Sequence, residues 1–479
     1  MKSTKIVSDM LWRFGERICA QLVSFIVSIV LARILLPSEY GIIARTTVFI
    51  TICNVFVTSG FGMALIQKEK ADELDFSTIF VFGISFSTLL YIILFFAAPL
   101  IAEFYGEPIL IPVVRVMSLK LPMAAINSVQ QAYVSRKMLF RKFFWATLIG
   151  TIISGIIGIL MAFWGFGVWA LVVQYLINTF IDTIILGISV HWFPGFRFSF
   201  DRLTMMVGFG WRILVSDLIS TVYNELRSLI IGKKYTSDQL AYYNRGQQLP
   251  HLFVTNVGVA ISSVLFPTMS REQTDKDHLK TIVNRSICIG TYIMFPIMTG
   301  LAVCAKPIIL ILLTDKWIFA VPFLQMACFS YAFEPWSSAN LQAIKASGAA
   351  GDYLKLEIEK KSVALILLFA SVPFGVIAIA ASACVYSIIA IALTAHCNSK
   401  NINYGFWRQC RDIVPNFIIC VIMGACTYII TLLKIGLINT LILQVLTGFI
   451  VYVVLSIITK NGNYVFTKSL ILPFFKKKG

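Results

Sequence analysis

Residues 376–397 read VIAIAASACVYSIIAIALTAHC, with no Asp, Glu, Lys or Arg over the whole run. A helix of this length reaches about 33 Å at ~1.5 Å per residue, enough to cross the ~30 Å hydrocarbon core of a bilayer. The turn Pro373-Phe374-Gly375 separates it from another apolar run before it. Working outward, similar runs recur from one end of the chain to the other. They fall near 12–36, 40–66, 77–104, 108–134, 143–164, 167–190, 203–231, 238–267, 281–304, 318–344, 353–373, 376–397, 412–433 and 437–459. The expected fold is therefore all-α: a polytopic membrane protein with about 14 transmembrane helices. Short connections join them, several marked by Gly and Pro, as in Tyr105-Gly106-Glu107-Pro108 and Trp164-Gly165-Phe166-Gly167.

Composition agrees. Of 479 residues 58% are hydrophobic and 13% charged, with mean hydropathy +0.83; a soluble domain is about half apolar and about a quarter charged. No polar stretch is long enough for a separate soluble domain. The apolar part of the N-terminus, Ile18 to Leu36, exceeds a signal-peptide core and no small-x-small site follows, so no cleavable signal is expected. The ten cysteines lie mostly inside apolar runs and read as small hydrophobes; no C-x-x-C occurs, and the four histidines have no metal-ligand spacing. No cofactor is expected. The net charge of +17 is scattered over short loops rather than forming one face, so no nucleic-acid partner is expected.

Lys and Arg in alternate loops split 27 to 7, with the excess on the side of both termini. By the positive-inside rule both termini are cytoplasmic, which requires an even number of helices.

A faint internal repeat is present. Phe14-Gly15-Glu16-Arg17 matches Phe209-Gly210-Trp211-Arg212; Pro37-Ser38-Glu39-Tyr40 resembles Thr236-Ser237-Asp238 with Leu240; Pro122 and Asn127 share their spacing with Pro335 and Asn340. Together these suggest two six-helix lobes in parallel repeat, 1–200 and 201–400, followed by two additional helices and a basic tail over 401–479.

Polar side chains inside a bilayer are costly, so their placement informs. Arg17, Gln21, Ser24 and Ser28 share one helix face, as do Thr47, Thr51, Asn54 and Thr58. The seventh helix carries Arg212, Ser216, Ser220, Tyr223 and Arg227 with Asp217 and Glu225 beside them; the eighth carries Asn244, Arg245, Gln248, His251 and Thr255. Packing between helices explains Ser and Thr. Charged members need water or ionic partners, which points to a hydrated cavity. Arg17, Lys120, Arg212, Arg245, Asn244 and Gln248 are the substrate-binding candidates. Asp217, Glu225 and Glu334 are candidates for charge pairing or coupling, and whether a given arginine binds substrate or neutralises a carboxylate stays open. Pro122 and Pro335 kink equivalent helices and are the hinge candidates, against the alternative of a static bend.

The segment Arg13-Phe14-Gly15 to Gly41, with Leu31-Ala32-Arg33-Ile34-Leu35-Leu36-Pro37-Ser38-Glu39-Tyr40-Gly41, resembles the polysaccharide-transporter branch of the multidrug/oligosaccharidyl-lipid/polysaccharide superfamily. These are the Wzx-type flippases, and the likeness is nearest to the lipopolysaccharide, colanic and teichuronic acid export subgroup. Leu240-Ala241-Tyr242-Tyr243-Asn244-Arg245-Gly246-Gln247 and the Gln130-Gln131-Ala132 segment with Arg136 and Phe140-Arg141 fit as well. The resemblance implies alternating access and transfer of a polyprenyl-diphosphate-linked oligosaccharide to the outer leaflet of a bacterial cytoplasmic membrane. It implies membrane lipids, a polysaccharide polymerase and export machinery as surroundings, with Na+ and H+ both open as the coupling ion. A drug or cation antiporter and a peptidoglycan-precursor flippase share the superfamily. A membrane polymerase or ligase would need a large outer loop with catalytic groups, and none is seen, so no enzyme is expected.

Overall fold

A computed structural model describes residues 19–59, 62, 65–66, 68, 71–190, 195–271, 276–347, 350–433 and 435–465. Among them every regular element is helical. The elements are α1 (Cys19–Ile34), α2 (Pro37–Thr58), α3 (Glu73–Tyr105), α4 (Leu110–Met117), α5 (Lys120–Lys137), α6 (Phe140–Phe163), α7 (Val168–Val190), α8 (Phe200–Lys234) and α9 (Ser237–Arg271). There follow α10 (Lys276–Val303), α11 (Ala305–Leu313), a 3-10 turn (Asp315–Ala320), α12 (Val321–Ala332), α13 (Glu334–Ala346), α14 (Ala350–Ser371), α15 (Val376–Ile402), α16 (Phe406–Thr431) and α17 (Leu437–Ile458).

A helix lies at each of the fourteen expected positions. Among the described residues, ten spans are long and apolar enough to cross a membrane, and α8 makes an eleventh as the bent pair Phe200–Gly208 and Gly210–Lys234, at 52°. The other three positions are α1, whose described part is short, α9, and α14, whose first half carries too many charged groups to meet the apolar criterion. The expected count of fourteen transmembrane helices is not confirmed: ten spans, or eleven with the bent pair, meet the apolar criterion among the described residues.

The chain divides into two compact units, Met1–Ala241 and Tyr242–Gly479. This boundary concerns packing; the one expected at residue 200 concerns sequence repetition.

In the first unit, local chemistry sets the helix ends. Asp72 accepts a hydrogen bond from the Asp75 backbone N–H (2.9 Å) and donates its own N–H to Asp75 Oδ2 (3.1 Å), a reciprocal cap that starts α3. Gly106, at φ +71°, ends it in the left-handed conformation glycine adopts freely. Pro37 begins α2, where its missing N–H costs nothing, and Glu39 accepts from the Leu36 N–H at 2.8 Å. Helices α6 and α7 form the tightest hairpin because small residues repeat along α6. A Cβ on Gly158 would lie 2.9 Å from Gln174 Cβ, and one on Gly150 would lie 3.3 Å from Asp182 Oδ1. Gly150, Ser154 and Gly158 thus make a stripe that lets two backbones approach in lipid, where packing rather than hydrophobicity drives association.

The second unit is pinned by buried amides. Gln409 on α16, fully buried, accepts from Trp336 Nε1 (2.5 Å) and Asn340 Nδ2 (2.8 Å) and donates to Asn340 Oδ1 (3.0 Å) and the Tyr404 carbonyl (2.8 Å). Asn398 on α15 adds a bond to Asn340 Oδ1 at 2.8 Å. Asn416 donates to the Cys288 carbonyl (3.0 Å) and Thr291 (3.2 Å) of α10 and accepts from Asn461 at 3.0 Å. Outer faces stay apolar and exposed, as at Phe96, Leu100 and Phe449, which suits contact with lipid chains.

Two spans are broken at matching places. Leu110–Lys137 is interrupted at Ser118 and Leu119, three residues before Pro122; Asp315–Ala346 is interrupted at Phe333, two residues before Pro335. Each proline then sits in the first turn of the following helix, where it removes no internal hydrogen bond.

Candidate functional site

The first unit carries charge at both helix ends and polar groups between. At the end where α2 begins, Arg45 is buried, with its side chain 4% exposed, and forms an ion pair with Glu107 at 2.7 Å. Its Nη2 donates to the Tyr235 carbonyl at 2.9 Å, and its guanidinium lies 5.1 Å from the Tyr105 ring centre. Glu107 Oε1 also accepts from Ser237 Oγ at 2.6 Å, and Lys233 donates to the Phe104 carbonyl. The backbones close on each other here: a Cβ on Gly41 would lie 2.0 Å from the Ser237 carbonyl oxygen, and one on Gly232 would lie 3.2 Å from Arg45 Cγ. One buried guanidinium therefore joins α2, the α3–α4 turn and the α8–α9 turn.

At the opposite end Asp75, with no exposure, pairs with Lys68 (2.6 Å) and Arg202 (3.2 Å), and Arg202 also reaches Asp72 at 3.3 Å. The Asp75 backbone N–H, aided by Arg202 and Lys68, holds the Asp72 carboxyl below the usual carboxylate range. Arg136 donates to the carbonyls of Leu65 (2.8 Å) and Lys68, tying the α2–α3 connection to α5.

Between the ends, Lys120 lies 5.8 Å from the centre of the Tyr175 ring, and Arg212, exposed, lies 5.8 Å from that of Trp211. Among the described residues Arg212 makes no ion pair with Asp217: five positions apart on a helix places them on different faces. Asp217 and Glu225 are partly exposed on α8. Asp182 on α7 sits among Thr147, Thr151 and Asn178.

In the second unit, Arg245 donates to Gln248 and stacks 5.2 Å from the Trp317 ring centre. A Cβ on Gly246 would lie 2.6 Å from Phe323 Cβ, so this glycine lets α9 settle against α12 and holds Asn244, Arg245 and Gln248 in register with it. Glu334, exposed on the first turn of α13, has Lys360 of α14 as its electrostatic partner, and Lys360 bonds Glu357 at 3.0 Å. Lys345 stacks on Tyr353 at 5.0 Å. Of the sequence candidates, Arg17 lies outside the described residues. The others fall into separate groups: Lys120, Arg212, Asp217 and Glu225 in one unit, Arg245, Asn244, Gln248 and Glu334 in the other.

Sequence reading missed four charged groups that the structure makes prominent. Arg45 lay in the expected run 40–66 without being singled out, and Glu107 lay in the turn Tyr105-Gly106-Glu107-Pro108. Lys360 lay in the expected run 353–373 without being singled out, and it stands on α14. Asp182 was overlooked, although it is the one acidic residue in the run 167–190, a signal that could have found it.

Residues 30–322 match the family of proteins described as polysaccharide biosynthesis proteins. This share of the sequence places the chain in that family: it is a membrane protein of polysaccharide biosynthesis. The succinoglycan biosynthesis transport protein ExoT of Rhizobium meliloti (strain 1021) is 26% identical over 309 residues, covering 64% of this chain and 62% of ExoT. The chain thus spans about three-fifths of that relative's length. The teichuronic acid biosynthesis protein TuaB of Bacillus subtilis (strain 168) is 22% identical over 443 residues, 89% of each chain. Among solved structures, an inward closed conformation of the lipid II flippase MurJ superposes with TM-score 0.74 at 15% identity, over 97% of this chain and 100% of that one. The fold is shared with that transporter.

Proposed function

We propose that this chain is a flippase that moves a polyprenyl-diphosphate-linked oligosaccharide from the cytoplasmic to the outer leaflet by alternating access, for cell-surface polysaccharide assembly. The observation that carries this reading is the joining of two facts: a match to a polysaccharide biosynthesis family, and the fold of a lipid II flippase over nearly the whole chain. ExoT and TuaB, named for succinoglycan transport and teichuronic acid biosynthesis, support an exported glycan as cargo. The membrane is then the bacterial cytoplasmic membrane, with both termini inside, and polymerase and export machinery act on the product.

On this topology the Arg45–Glu107 end faces outward and the Asp75–Lys68–Arg202 end faces the cytoplasm. The outer end is bolted by one buried ion pair and a glycine contact. The two lobes rock about the interrupted helices at Pro122 and Pro335, and opening outward separates Ser237 and Tyr235 from Arg45 and Glu107. Arg17, Lys120, Arg212 and Arg245 supply cations for the diphosphate, with Asn244 and Gln248 beside them. Arginine suits this ligand because its planar fork makes paired hydrogen bonds to phosphate. Asp217, Glu225 and Glu334 balance these charges when the cavity is empty of substrate.

The MurJ likeness raises a second cargo of the same chemistry, a peptidoglycan precursor. The deciding experiment deletes the gene and follows lipid-linked saccharides by leaflet. Accumulation of a lipid-linked oligosaccharide on the cytoplasmic side, with loss of one surface polysaccharide, is the expected result. Normal surface polysaccharide with a stalled peptidoglycan precursor would assign the second cargo, and no accumulation of either would defeat the flippase reading.

A further inference from the structure

We propose that Asp182 is a proton-binding site, and that its carboxylate takes up one proton to form the carboxylic acid, and returns it, in each transport cycle. The inference deepens the transport reading above and rests on it for the word cycle; the site itself rests on geometry. Asp182 stands eight residues, about 12 Å, from the end of α7. That depth is inside the hydrocarbon layer, where a carboxylate needs a cation or a proton.

No cation serves it among the described residues. The charged groups on the helices packed against α7 are engaged elsewhere. On α5, Lys120 stacks on Tyr175, two turns along α7 from Asp182, Lys137 stacks on Tyr133, and Arg136 bonds carbonyls of the α2–α3 connection. On α6, Lys142 donates to the Ser189 carbonyl and Arg141 is exposed near the helix start. Arg115 on α4 donates to the Phe95 carbonyl at 3.2 Å, and on α2 Arg45 is paired with Glu107 while Glu39 bonds the Leu36 N–H. Cys53 on α2 is the remaining titratable group of that helix besides Tyr40.

Neutral donors are committed too. Asn178 gives its amide to Thr151 (3.4 Å) and Ser154 (3.3 Å), and Thr151 gives its hydroxyl to the Thr147 carbonyl at 2.8 Å. Two oxygens remain sealed from solvent, Asp182 Oδ1 and the neighbouring Thr147 Oγ1, and each is the other's polar neighbour. A deprotonated carboxylate offers only acceptors, so it depends on the one hydroxyl. The Thr147 hydroxyl can bond either form, accepting from the acid or donating to the carboxylate, so it does not decide between them. With no cation beside it at this depth, the neutral acid is the form this closed arrangement fits, and the ionised form requires the α6–α7 hairpin at Gly150 to admit water.

Infrared difference spectra of the purified chain in lipid vesicles, between about pH 4 and 9, read the proton directly as the carbonyl stretch of a protonated carboxyl. Wild type should gain one more such band on acidification than Asp182→Asn. The variant Thr147→Val, which keeps the carboxyl and the packing, should move the midpoint of that band. Identical spectra for wild type and Asp182→Asn, or a midpoint untouched by Thr147→Val, would overturn the proposal. So would a band erased at constant pH by Na+ and not by K+, which would assign the site to a metal ion instead. No substrate is needed for these measurements, so their failure is separable from failure of the flippase reading.

Discussion

Glu107→Gln should loosen the end of the first unit where α2 begins, and the structure sets the size of the effect. The substitution keeps the shape and an acceptor for Ser237 Oγ, and removes the charge facing Arg45 at 2.7 Å. Removing one partner of a fully buried ion pair costs about 3–5 kcal/mol because the other charge stays desolvated. Arg45 is buried, but Glu107 is 31% exposed. That exposure brings the loss down to about 2 kcal/mol, within the ~1.5–3 kcal/mol of a hydrogen bond to a charged group. A shift of about 2 kcal/mol changes the closed-to-open ratio roughly thirtyfold. Leu240 reports it: fully buried, with its side chain 3.4 Å from where a Cβ on Gly232 would stand. In a background lacking the native cysteines, alkylation of Leu240→Cys by an impermeant maleimide should speed up about thirtyfold on adding Glu107→Gln, since the rate follows the open population. An unchanged rate in a folded protein would refute the assignment of Arg45–Glu107 as the bolt.

Two further predictions follow from the second unit. Arg245→Ala should cut export at least tenfold with the protein still inserted, and Arg245→Lys should restore only part, because lysine can replace neither the stacking on Trp317 nor a paired contact to diphosphate; export assays with membrane levels checked decide it. Gln409→Ala should cost more than about 2 kcal/mol in thermal or denaturant unfolding, since it strands Trp336 Nε1 and Asn340 in a buried site, while Asn439→Ala, exposed on α17, should stay within about 0.5 kcal/mol.

Helix positions were legible because each apolar run is long and each break carries its own chemistry. Gly106 and Gly167 stand at positive φ where turns were read, and both interrupted spans break just ahead of the prolines singled out. The functional groups were less legible. Period along a helix gives a face, and it does not say what that face meets. Arg245 looked like one of several cavity cations; its stacking on Trp317, seventy-two positions on, is a tertiary fact. Arg45 lies near a helix start, where a charge can reach water, and only the approach of Tyr235 and Glu107 buries it. Asn340, noted for its spacing from Pro335, owes its importance to Gln409 and Asn398, which no local pattern connects to it.

The bolt lies where two segments of corresponding sequence meet. The turn before α2 and the turn before α9 are the segments whose sequences correspond, Pro37-Ser38-Glu39-Tyr40 with Thr236-Ser237-Asp238 and Leu240. In the structure these corresponding turns meet, at Gly41 against Ser237. Gly41 permits the contact because any Cβ would strike the Ser237 backbone, and Arg45, one turn further along α2, fastens it through Glu107 and Tyr235. A side chain at residue 41 would act as a wedge at that point, whereas loss of Glu107 leaves the fit intact and removes the fastening. The two perturbations act on one closure by independent routes, so steric and electrostatic contributions to closing can be separated in the same molecule.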